Sequence, residues 1–192
     1  MHSPLRLNGA WADARATAWA DTAPASRDLI IWGAHGGAGA STLATLLKPA
    51  RDMGALRTEA DYRYPVPNPD ANPVLVTCRC TTWSAIKASA AVTSLTRAGG
   101  QVSVLAVVSD GWPEPPIATS WFRLLSAQVG AVVRVPFIPW LRQCNDPALV
   151  RLPRAARQAV DTIRVITSTP GATRPYLEGG HDVPASSDTR PA

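Results

Sequence analysis

The sequence predicts an α/β protein: a Rossmann-like three-layer sandwich of the P-loop type, with a mostly parallel sheet. Three observations lead there. Short apolar runs recur at residues 29–32, 74–78, 102–108 and 132–135. Segments of helical spacing follow them, giving the order β-α-β-α-β-α-β-α, and parallel strands need such crossovers. The runs are mainly apolar and do not alternate regularly with polar residues, as in strands buried on both faces.

Each element has its own signal. Leu29-Ile30-Ile31-Trp32 is closed by Gly33 and reads as a buried strand. Residues 41–48 read as a short helix that ends before Pro49, with Leu43, Leu46 and Leu47 as its apolar positions. Residues 49–73 hold Pro65, Pro67, Pro69 and Pro73 and read as irregular. Residues 74–78 form the next strand. Residues 83–97 are helical, with Ile86, Ala90 and Leu95 expected to face inward, and Gly99-Gly100 ends the helix. A strand at 102–108, a loop over 113–116, a helix at 118–129 and a strand at 132–135 follow. Pro153 suits the first turn of a last helix over 153–166. Trp32 and Trp121 read as core. Trp112 and Trp140 adjoin proline-rich turns and read as an exposed pair that a partner would cover.

The domain is expected to span 28–166. Residues 1–27 read as a flexible arm and 167–192 as a disordered tail, because both lack sustained periodicity. A chain of 192 residues suffices for one domain. No apolar stretch reaches the ~20 residues of a membrane helix. The N-terminus lacks an apolar signal core. Cys78, Cys80 and Cys144 are odd in number, and His2, His35 and His181 are scattered. That pattern predicts free thiols in a reducing, cytoplasmic setting and no metal cluster. The net charge is +5, supplied mostly by arginine. Arg151, Arg154, Arg157 and Arg164 recur at near-helical spacing and would offer one face to nucleic acid or an acidic partner.

The chemistry concentrates in Gly33-Ala34-His35-Gly36-Gly37-Ala38-Gly39-Ala40-Ser41-Thr42, between the first strand and the first helix. Glycines let backbone approach an anion, and the amides of 37–42 would converge near the positive end of the helix. A working phosphate loop reads G-x-x-x-x-G-K-[S/T], its lysine reaching the β- and γ-phosphates and its hydroxyl binding magnesium. Here Gly39 and Ser41 fit, but Ala40 stands where the lysine belongs. The candidate binding residues are therefore His35, Gly36, Gly37, Ala38, Gly39, Ala40, Ser41 and Thr42, with Ser41 also the candidate magnesium ligand.

This loop resembles the deviant Walker A motif, K-G-G-x-G-K-[S/T]-T, of the MinD/ParA partitioning and positioning ATPases. His35 falls on the signature lysine and Ala40 on the phosphate lysine. Residues 74–84, 105–110 and 132–136 resemble later family elements. By that resemblance Asp110 takes the place of a base-recognising asparagine. The resemblance also implies an aspartate-bearing strand between the first helix and residue 74. No apolar strand ending in Asp is evident there, and Glu59 and Asp61 are the nearest carboxylates. The chain is also similar to short proteins of high-GC bacterial mobile elements.

The resemblance, less its lysines, implies a pseudo-ATPase. It would bind ATP or another nucleotide with Mg2+, or no cofactor at all, and would not hydrolyse it or do so only weakly. It would act with a protein partner, or as a homodimer, in plasmid maintenance or DNA transfer. The alternatives are an active ATPase of that family, a basic nucleic-acid-binding module, and an NAD(P) binder of the short-chain dehydrogenase type. Gly33-x-x-x-Gly37-x-Gly39 fits the dehydrogenase loop. Its Tyr-x-x-x-Lys is replaced by Trp83-Ser84-Ala85-Ile86-Lys87, whose indole has no phenol proton to give.

Overall fold

A computed structural model describes residues 28–56 and 72–168. The expected arm at 1–27, the carboxylates Glu59 and Asp61, and the tail from 169 lie outside the described residues.

The strands are β1 (Leu29–Gly33), β2 (Ala50–Ala55), β3 (Val74–Arg79), β4 (Val102–Val108) and β5 (Ala131–Val135). The helices are α1 (Ala40–Leu46), α2 (Thr82–Arg97), α3 (Pro116–Leu125) and α4 (Arg154–Ser168). Two short 3-10 turns, Pro139–Arg142 and Pro147–Leu149, link β5 to α4. One five-stranded sheet has the order β2-β1-β3-β4-β5, and every pairing is parallel. The chain is thus α/β, a Rossmann-like sandwich.

Alternation along each strand sorts the core into two layers. Ile30, Trp32, Val76 and Cys78 face one side and pack with Ala85, Ala88 and Val92 of α2 and Phe122 of α3. Leu29, Ile31, Leu75 and Val104 face the other side, with Leu43 of α1 and Val160 and Ile163 of α4. Both faces are covered, which explains the mainly apolar central strands. Arg134 on the edge strand β5 grips Glu114 in the loop before α3 through two hydrogen bonds of 2.9 Å.

Two expectations are corrected. Residues 49–73 are not wholly irregular, because 50–55 form β2. Its sequence, Ala-Arg-Asp-Met-Gly-Ala, has no β-branched residue. It is an edge strand paired only to β1, so half-exposed positions suffice. The inward face of α2 is also shifted. Ile86 is 47% exposed and Ala90 is exposed, whereas Ser84, Ala85, Ala88, Ala91, Val92 and Leu95 are buried. Small residues set this face, so the helix can lie close to the sheet. Trp32 is buried, Trp121 half-buried against the core, and Trp112 and Trp140 are exposed. Among the described residues no helix is long and apolar enough to cross a membrane.

Candidate functional site

The sheet order reverses direction around β1: its chain neighbours in the sheet lie on opposite sides, β2 on one and β3 on the other. In open α/β sheets ligands gather at such a switch point, outside the carboxyl ends of the strands. The glycine-rich loop leaves β1 there. Ala34 N donates to Thr77 O at 2.8 Å, tying the loop's start to β3. The buried Thr77 hydroxyl donates to Ala38 O at 2.9 Å and pins its middle. Gly37 and Gly39 have φ of +77° and +95°, a left-handed backbone that a Cβ would strain. Leu43 N makes the first intrahelical bond, to Gly39 O at 3.0 Å. The amides of Ala40, Ser41 and Thr42 precede it, as the opening turn of a helix requires.

Three further side chains from elsewhere reach this loop. Arg79, at the end of β3, donates from Nε to Gly37 O at 3.1 Å. Asp52 of β2 accepts the Ser41 hydroxyl on Oδ2 at 2.5 Å, and its Oδ1 accepts Gly54 N at 2.8 Å. Ser84, at the start of α2, meets His35 Nε2 at 2.7 Å. The other ring nitrogen, Nδ1, lies 2.8 Å from Gly36 O and carries its proton there, since a carbonyl can only accept. The His35 ring also packs against Trp83, with centroids 4.8 Å apart. Nε2 therefore fastens the loop to α2, while Nδ1 closes a contact within the loop itself. Ala40 is buried, its methyl in the apolar cluster under α1. Ser41 is exposed, Thr42 partly so, and Gly36 and Gly37 are exposed at the loop's crest.

Asp110 lies beyond the carboxyl end of β4. Its Oδ1 accepts from Trp112 N at 3.1 Å and from the Cys80 thiol at 3.3 Å. The Trp112 amide is the main reason its carboxyl sits below the ordinary value, with burial opposing and the thiol assisting. In this structure Asp110 shapes the loop before α3.

The sequence located the loop but gave no sign of Asp52 or Thr77 beside it. No apolar strand ending in Asp precedes residue 74 among the described residues, but the polar edge strand β2 carries Asp52 in its middle, against Ser41. Thr77 was hidden inside an apolar run. Arg79 closes β3, and its place at the end of an apolar run marks it in the sequence as a residue that could approach the same anion. Of the four C-terminal arginines, Arg164 is engaged, pairing with Asp161 at 3.0 Å and donating to Leu46 O at 2.7 Å. Arg154 and Arg157 are exposed on α4.

The arrangement can cradle an anion: glycine backbone, opening amides of α1 and one guanidinium face the same loop. Ser41 and Asp52 add two adjacent oxygen donors. Among the described residues no cluster of three or more His, Cys, Asp or Glu could hold a metal by itself.

No family model matches the chain. No curated protein matches it either. Among solved structures the fold is similar to the crystal structure of SsGBP mutation variant G235P, with a TM-score of 0.50 and 10% identity. The match covers 75% of this chain and 57% of that one, so the chain spans little more than half of that structure's length. At this identity the likeness is one of fold.

Proposed function

We propose that the chain is a P-loop-type anion binder that holds the phosphate of a ligand, a nucleotide such as ATP included, over residues 35–42 without hydrolysing it unaided. The observation that carries this reading is Arg79 on Gly37 at 3.1 Å. It brings a cation to a loop whose two expected lysine positions hold His35 and Ala40. An arginine fixed to backbone can neutralise bound phosphate. Ala40, buried among apolar side chains, has no charge to follow a transferring phosphoryl group. Losing one such donor costs about 3 kcal/mol of transition-state stabilisation.

Ser41 and Asp52 fit magnesium, which is commonly held by one or two carboxylates completed by phosphate and water oxygens. Bound there, the ion would neutralise charge on the phosphate oxygens. The resemblance further suggests a role as a partner in plasmid or mobile-element maintenance or DNA transfer. Exposed Arg154 and Arg157 are compatible with nucleic acid in such an assembly.

Calorimetric titration of the full chain with ATP, ADP, GTP and inorganic phosphate, with and without magnesium, tests the reading. Heat and thermal stabilisation with at least one nucleotide are expected, with phosphate release at background. Silence with every ligand overturns the binding. Turnover that Ser41→Ala abolishes overturns the non-hydrolysing part.

A further inference from the structure

We propose a second ligand site beside the loop: a cavity that takes a small monocarboxylic acid with an apolar body of about six carbons. It has a volume of about 150 Å³ and opens at the carboxyl ends of β4 and β5. Leu43 and Leu46 of α1, Val108, Ile138, Leu141 and Val160 supply its apolar walls. The polar lining is sparse: Gly39 and Thr42 on the loop side, Ser109, and the two arginines Arg79 and Arg142.

Size and charge select the ligand. Drug-sized sites run to roughly 300–1,000 Å³, so a nucleotide's base and sugar do not fit. An apolar cavity of about 150 Å³ accommodates a benzene-sized body. No Asp or Glu lines this one, whereas two arginines do. Among the described residues neither arginine makes an ion pair. Arg142 lies over the Phe137 ring at 4.8 Å, which holds its planar charge beside the cavity. A carboxylate matches a guanidinium fork, and an acyl or aryl body displaces poorly held water from the walls. The position obeys the same rule that places ligands outside strand carboxyl ends.

Arg142 and the apolar walls do not depend on whether the loop holds phosphate. Arg79 touches both cavity and loop, because it also bonds Gly37 O. Arg142 lines the cavity and has no contact with the loop among the hydrogen bonds of the described residues.

The test is an amide-resolved NMR titration of the full chain with hexanoate and benzoate, with hexanol and inorganic phosphate as controls. Saturable shifts at Gly39, Val108 and Ile138 are expected with both acids. Hexanol should bind at least about tenfold more weakly than hexanoate. Arg142→Gln should weaken the acids about tenfold and leave the loop's response to phosphate unchanged. Leu141→Trp, which fills the cavity with an indole, should abolish acid binding; should it fail to fold, the exposed Arg142 variant decides. The proposal is overturned if neither acid shifts these amides. Equal affinity for hexanol overturns it too, as do shifts confined to 36–42 that phosphate reproduces. Failure of phosphate to bind the loop, with the acids still saturating, would sink only the proposed function.

Discussion

Arg79 Nε donates to the carbonyl of Gly37 across 42 residues of chain, at 3.1 Å. The bond fixes a cation against the exposed crest of the glycine loop. Arg79→Gln should weaken binding of phosphate-bearing ligands about tenfold, the worth of one charge-assisted hydrogen bond. Arg79→Lys should recover part of the affinity, since it keeps the charge but not the fork. Titration calorimetry on the three proteins checks this, and equal affinities would remove Arg79 from the site.

Asp52 and Ser41 give a prediction of opposite sign with and without metal. Without magnesium, the Asp52 carboxylate lies beside the place an anion would take and repels it. Asp52→Asn should then bind inorganic phosphate or nucleotide more tightly. With magnesium the native chain should gain affinity and the variant should not. A titration in chelator and in excess magnesium separates the two, and identical metal dependence would exclude Asp52 as a ligand.

Gly130 donates its amide to Val102 O at 2.9 Å, just before β5. A Cβ there would sit 2.5 Å from the carbonyl oxygen of Ser103, a backbone atom. Gly130→Ala should therefore destabilise the fold by about 1–3 kcal/mol, the usual cost of overpacking. The midpoint of urea unfolding reads this directly. An unchanged midpoint would show that β4 and β5 separate at no cost.

Cys78 gives a pH dependence. Burial, then the charges of Cys80 and Glu114, push its thiol from 9.0 up to about 12. Between those values the folded chain keeps a proton that the unfolded chain has lost. Stability from this group is complete below pH 9 and falls as pH rises through the window, by up to about 1.4 kcal/mol per unit. Cys80, also raised chiefly by burial, acts in the same direction. Urea midpoints measured across alkaline pH should fall less steeply for Cys78→Val than for the native chain. Parallel slopes would refute the assignment.

Much of the fold was legible because local chemistry dictates it. β1, β3 and β4 are mainly apolar and buried on both faces, so each stands out from its flanks without its partners. The loop was legible too, since Gly37 and Gly39 mark a left-handed backbone that other residues resist. β2 was hidden. Edge pairing to β1 makes Ala50–Ala55 a strand, and that pairing leaves no hydrophobic trace. The face of α2 was misplaced for a related reason: distance to the sheet favours Ala88 and Ala91 over the bulkier Ile86.

Residue order alone dictates an α/β chain with a glycine loop after its first strand and alanine in place of the phosphate lysine. The side chains that meet that loop are set by the fold. Asp52 reaches Ser41 across 11 residues, Thr77 reaches Ala38 across 39, and Arg79 reaches Gly37 across 42. Strand order sets these encounters, because flanking β1 with β2 and β3 brings both carboxyl ends to the loop. Strand order depends on burying two apolar faces at once, a property of the whole sheet that no single segment carries.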